Sequence, residues 1–161
     1  MNIWYIDNWK KFSDLANGNC KKGLRLHFGK DIDQKARKYF MDFSKWIRRE
    51  FAFPIRINVY VKGDYKIKAK DGDMVCGLFR YPTGDKYPYI LLAVGDYKEL
   101  VESRGEEQAM WSILWSFAHE LTHYYQYIND VQLSSKGEEI QATRYSKQIL
   151  EKYDYEMQQK D

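Results

Sequence analysis

The spacing of apolar and polar residues changes period several times along the chain, and each change predicts an element. Tyr39, Phe40, Phe43, Trp46, Ile47 and Phe51 recur at three- and four-residue steps, which puts them on one stripe of an amphipathic helix. Asp31 or Asp33 is placed to cap its start, and Pro54, which has no amide hydrogen, closes it. Residues 55–61 then alternate, with Ile55, Ile57, Val59 and Val61 on one side and Arg56, Asn58 and Tyr60 on the other. That is the period-two pattern of a half-buried strand. Further strands are predicted over 65–69, 74–81 and 87–94. The turn-forming sequences Asp71-Gly72-Asp73 and Pro82-Thr83-Gly84-Asp85 separate them, so consecutive strands are expected to pair as an antiparallel meander.

After Gly95-Asp96 the period becomes helical. Over residues 106–127, Met110, Trp111, Ile113, Leu114, Trp115, Phe117, Ala118 and Leu121 cover most of the helix circumference, so this helix is buried on most sides. Ser112 and Ser116 are small positions on it, suited to bordering a cleft or to close helix packing. A last helix is predicted to start with a capping box, Ser135 as N-cap and Glu138 at its third position. Along it, Glu139, Ala142, Ser146, Ile149, Leu150 and Tyr153 form one inward stripe. The expected architecture is α+β, a small antiparallel sheet packed against helices.

Composition adds limits to this picture. The chain has 161 residues, 17% of them aromatic, and no repeat or low-complexity linker, which favours one unit over 1–161 with a core partly built from aromatic rings. Cys20 and Cys76 are too few and too far apart for a disulfide framework and are read as reduced thiols. With no basic n-region leading into an apolar run, and no run near the roughly 18 residues of a membrane span, the expected location is the cytosol. A net charge of +3 does not by itself imply nucleic acid, and Lys66, Lys68 and Lys70 read as a solvated edge.

The buried helix carries the candidate chemistry. His119-Glu120-Leu121-Thr122-His123 sets two imidazoles four residues apart, so they point the same way and can share one ion, while Glu120 sits about 100° round the helix, in reach of a water on that ion. The bland alternative is a pair of buried histidines satisfied by packing. A catalytic zinc site normally takes three protein ligands and leaves a fourth position open. Glu139 is the preferred third ligand, because a carboxylate on an inward stripe needs a partner that justifies its burial, whereas Glu138 has its capping role. His27, far upstream in a polar, Gly-containing segment, is a poor candidate.

With these residues in view, the chain resembles the gluzincin branch of the zincin metalloproteases: His119-Glu120-Leu121-Thr122-His123 is followed by Glu139 and Ala142 on a later helix. Its length and element order are similar to minimal gluzincins and ImmA/IrrE-type proteases, over residues of about 87–150. The resemblance implies that His119, His123 and Glu139 bind Zn²⁺ and that Glu120 is the general base. The metzincin pattern would place Gly at 126 and His at 129, where this chain has Gln126 and Asn129, and a SprT-like site would add a downstream His that is absent. ImmA/IrrE-type proteins usually have Asn where this chain has Thr143. The implied reaction is peptide-bond hydrolysis, in which zinc activates water and Glu120 moves the proton. Tyr124, Tyr125, Tyr127 and Tyr145 are candidate donors to a developing oxyanion, with packing the more ordinary role for each. The strand over 87–94 is either a cleft-rim strand for an extended peptide or a central strand. A catalytically silent binding module and a nucleic-acid-associated protein are the competing functions.

Overall fold

The computed structural model describes residues 1–11, 20–81 and 87–160, so the turn expected at Pro82-Thr83-Gly84-Asp85 lies outside the described residues. The chain opens with two short 3₁₀ turns, Ile3–Tyr5 and Asn8–Lys11. Strand β1, Leu24–Phe28, follows, and the amphipathic stripe then forms helix α1, Gln34–Glu50. Asp33, rather than Asp31, is its N-cap: the Asp33 carboxylate accepts from the amides of Lys35 and Ala36, while Asp31 has φ 62°. Ala36, Phe40, Phe43, Trp46 and Ile47 form the buried side of α1, as the three- and four-residue spacing requires.

Strands β2 (Ile57–Lys62), β3 (Ile67–Lys68), β4 (Met74–Val75), β5 (Gly77–Arg80) and β6 (Tyr89–Ala93) come next. The expected antiparallel meander is corrected here. The main sheet has the order β1-β2-β6-β5, with β1 parallel to β2, β2 parallel to β6, and β5 alone antiparallel, against β6. The Asp71-Gly72-Asp73 turn does close an antiparallel hairpin, but the small separate one of β3 and β4. The run over 74–81 is two strands: the Cys76 carbonyl accepts from the Ala93 amide between them, and Gly77 starts a segment paired with β6 instead of with the hairpin. The strand over 87–94 is central, flanked on both sides, which explains its continuous apolar run, and the sheet edge falls to β5. Strand β1 has no counterpart in the expected set, although Leu24, Leu26 and Phe28 alternate with Arg25 and His27.

Three helices complete the fold: α2 (Tyr97–Arg104), α3 (Glu106–Ile128) and α4 (Ser135–Gln158). Gly105, at φ 87°, ends α2 and begins α3, a backbone conformation that a Cβ would strain. Among the described residues the architecture is thus mixed α+β, four helices with a small sheet. One sheet face, carrying Ile57, Val59, Val61, Ile90 and Leu92, joins α1 and α3 in a single core around Phe40, Phe43, Phe117 and Tyr153. The first 3₁₀ turn straps the outside of α3: Trp4 is buried, and its indole Nε1 donates to Thr122 Oγ1 at 2.8 Å. Among the described residues, no helix is long and apolar enough to cross a membrane.

Candidate metal centre

Helix α3 is enclosed by the sheet, α1 and α4, and the motif falls in its most buried turns. Leu121, Thr122, Tyr124 and Tyr125 turn into the core, which leaves the faces of His119, Glu120 and His123 for the cleft between α3, α4 and β5. The cleft holds about 580 Å³ and is lined by these three residues together with Glu139, Glu138, Gly77, Phe79 and Tyr81, among others.

His119 Nε2 and His123 Nε2 point at one carboxylate, at 3.1 Å from Glu139 Oε2 and 2.9 Å from Glu139 Oε1. Among the described residues, His119, His123 and Glu139 form the one group of three or more His, Cys, Asp or Glu side chains close enough to hold a metal ion, with ligand atoms within 4.8 Å of one another. Both imidazoles are buried, but the expectation of an inward Glu139 is corrected: its side chain is 63% exposed and reaches over the histidines from the cleft mouth. Glu138 does not serve a capping box. Ser134, not Ser135, is the N-cap, accepting from Gly137 N at 3.0 Å, so the third position of the helix is Gly137. Glu138 instead borders the cleft, half-buried. Ala142 is fully buried one turn after Glu139, where a larger side chain would hold the two helices apart.

Sequence reasoning treated Gln126 only as a departure from another family's pattern, yet it orients the site. Its Oε1 accepts from His123 Nδ1 at 2.8 Å, and its Nε2 donates to the Glu138 carbonyl at 3.0 Å and Gln141 Oε1 at 2.9 Å. With the proton on Nδ1, the lone pair of a neutral His123 is on Nε2, facing Glu139. The one signal available in sequence was spacing, since Gln126 follows His123 by three residues and so shares its face. His119 Nδ1 is buried with no hydrogen-bond partner among the described residues. Burial, and secondarily the neighbouring His123, hold His119 below the ordinary histidine pKa, against the opposing pull of Glu139. A neutral imidazole is the form that ligates a metal.

Glu120 is buried in the cleft wall, where burial, reinforced by the Glu139 charge, pushes its carboxyl up to about 8. Strand β5 comes close enough to touch it: a Cβ on Gly77 would lie 3.2 Å from Glu120 Cγ and 3.0 Å from Leu92 Cδ2. Ser116 lines the cleft, and Ser112 lies in an adjoining groove between α3 and α4 walled by Trp111, Trp115 and Leu150. None of the four candidate tyrosines lines the cleft. Tyr124 and Tyr125 donate to the Ile55 and Ala52 carbonyls, Tyr127 packs on Phe79, and the Tyr145 carbonyl accepts from Asn2. Tyr81, exposed at the end of β5, does line it. His27 is on β1, with Nε2 2.9 Å from Asn58 Oδ1 and away from the centre, and Thr143 is exposed on α4. Asn129, where a metzincin would have its third His, ends α3 by bonding the Tyr125 carbonyl and holds the Trp9 amide. Cys20 and Cys76 are both free thiols.

No family model matches this chain, and neither a curated protein nor a solved structure matches it.

Proposed function

We propose that this chain is a zinc-dependent metallopeptidase with a gluzincin-like arrangement. The observation that supports it best is the convergence of His119 Nε2, His123 Nε2 and the Glu139 carboxylate beside a buried Glu120, in a cleft open to solvent. Two imidazoles and a carboxylate suit Zn²⁺ better than Mg²⁺ or Ca²⁺, which prefer oxygen donors. Bound there, the ion supplies Lewis acidity for activating water and polarising a carbonyl.

The chain's own residues do the rest. Glu120 takes a proton from the attacking water and delivers it to the leaving amine, and it must ionise for the first step; its buried setting favours the neutral acid until a cation is near. Strand β5, open on one edge, is placed to hold an extended peptide by main-chain hydrogen bonds. Tyr81 is the phenol nearest the task of donating to the carbonyl oxygen. The groove walled by Trp111, Trp115 and Leu150 suits an apolar side chain of the substrate.

The test is metal content after exhaustive dialysis, paired with turnover of a quenched fluorogenic peptide pool. Wild type is expected to keep near-stoichiometric zinc, His123→Ala and Glu139→Ala to lose it, and Glu120→Gln to keep zinc without turnover. No zinc in wild type, even after reconstitution, sinks the proposal; zinc without turnover on any pool leaves a silent binding module.

A further inference from the structure

The main sheet has a second face, turned away from the helices, whose composition differs from the rest of the surface. Strand register and the alternation of buried and open positions place Arg25, His27, Tyr60, Lys62, Tyr89 and Arg80 on it. The outward strand positions include three fixed cations and no Asp or Glu, in a chain whose 23 acidic residues nearly balance its 26 basic ones. One row crosses all four strands: Arg25 is opposite Asn58, Asn58 opposite Tyr89, and Tyr89 opposite Arg80. Three strand spacings of roughly 4.8 Å separate its terminal arginines by about 14 Å.

Aromatic rings lie between the cations on β1, β2 and the start of β6, and the apolar Leu78, Leu91 and Ala93 complete the face toward β5. His27 stacks on Tyr60 with centroids 4.8 Å apart and planes 18° from parallel, and Tyr60 meets Tyr89 edge-on at 6.2 Å. His27, Tyr60 and Tyr89 are all exposed, so this cluster spends rings on a face that contributes nothing to the core. Cross-strand packing explains ring against ring. It does not explain why the outward strand positions among the described residues carry cations and no acid.

We propose that this face binds single-stranded nucleic acid. Cations at the margins attract phosphates, and exposed rings between them stack on unpaired bases, the two interactions that hold a single strand on an open sheet. Duplex bases are stacked inside their helix and cannot reach the rings. An acidic peptide would satisfy the arginines but leave the aromatic cluster without a role. Recognition by stacking is sequence-tolerant, because every base has a π-face, and the outward amide Asn58 has its Oδ1 engaged by His27 Nε2. The lysines of the β3 region take no part, and the site is independent of the metal centre on the opposite side of the sheet.

The probe is fluorescein-labelled oligo(dT), followed by anisotropy with the full chain in chelator at rising NaCl. Three phosphate contacts predict a slope of log K against log salt of about −2. Tyr60→Ala is expected to weaken binding about fivefold or more, and Arg25→Gln with Arg80→Gln to flatten the slope to about −0.7. Arg25 and Tyr60 are exposed and Arg80 is half-buried, and far-UV circular dichroism checks that both variants fold; the wild-type slope and its preference for the single strand need no variant. Equal affinity for duplex DNA, a Tyr60→Ala variant that binds like wild type, or tighter binding of labelled polyglutamate than of oligo(dT) would each overturn the proposal.

Discussion

Gln126 shows how a residue that touches no reactant can decide what its neighbour does. Its carbonyl oxygen holds the His123 Nδ1 proton, and its amide nitrogen is in turn held by Glu138 and Gln141 at the start of α4. Gln126→Leu is expected to weaken zinc affinity about 10- to 100-fold, read by competition with a chromogenic chelator, while the fold persists. Gly77 acts through space: in Gly77→Ala the new methyl presses on Leu92 and on Glu120, so turnover is expected to fall with zinc still bound, at a stability cost of about 1–3 kcal/mol. Glu120 itself has a pH signature in the metal-free protein. Its folded pKa of about 8 lies above the ordinary 4.5, so between these values the folded state holds a proton that the unfolded state has released. The Glu120 contribution is therefore intact below about pH 4.5 and is lost as pH rises toward 8. Chemical denaturation in chelator should show Glu120→Gln gaining stability over wild type at pH 8 relative to pH 5; a difference that does not change with pH would contradict the buried-acid reading.

Among the elements, the long helices follow from local pattern, while strand β1 was not expected although its alternation is also local. The stripe of α1 and the enclosed character of α3 follow from periodicities that need no knowledge of neighbours. Caps were legible to within a residue or two: both Asp31 and Asp33, and both Ser134 and Ser135, have the right chemistry, and the choice depends on backbone angles set by the incoming chain. Asp33→Ala removes an acceptor from two amides and is expected to cost about 1 kcal/mol by thermal or chemical denaturation, whereas Asp31→Ala should cost less. Strand partners were not legible. The turns near β3, β4 and β5 signalled hairpins, yet β2 and β6 lie side by side in parallel, because each buries an apolar face against the same helices and the intervening segment is long enough to cross over. The cleft edge consequently fell to the short Gly77–Arg80 strand, the later part of the run over 74–81 that was expected as one strand.

For the whole molecule, the N-terminal strap, the sheet and α4 all converge on α3, so the centre is only as rigid as that packing. Trp4 contacts Phe51 and Tyr125 and donates to Thr122 within the motif itself, and Trp4→Ala is expected to destabilise by about 3–5 kcal/mol. Zinc at a hundredfold excess over its dissociation constant should stabilise the folded state by about 2.7 kcal/mol, raising Tm by roughly 5–10 °C, and His123→Ala should abolish the shift. An unchanged wild-type melting curve with and without zinc would argue that no such site forms. The sequence by itself determined the helical stripes, the shared face of His119 and His123 and the position of Glu120 beside them, because these depend on the fixed pitch of one helix. Only the tertiary structure decided that Glu139 meets both imidazoles from an exposed position, that Gln126 fixes the His123 proton, and that β5 forms the cleft edge. Those facts depend on how separate elements pack and pair, which is set by the burial of many distant side chains at once and has no period along the chain.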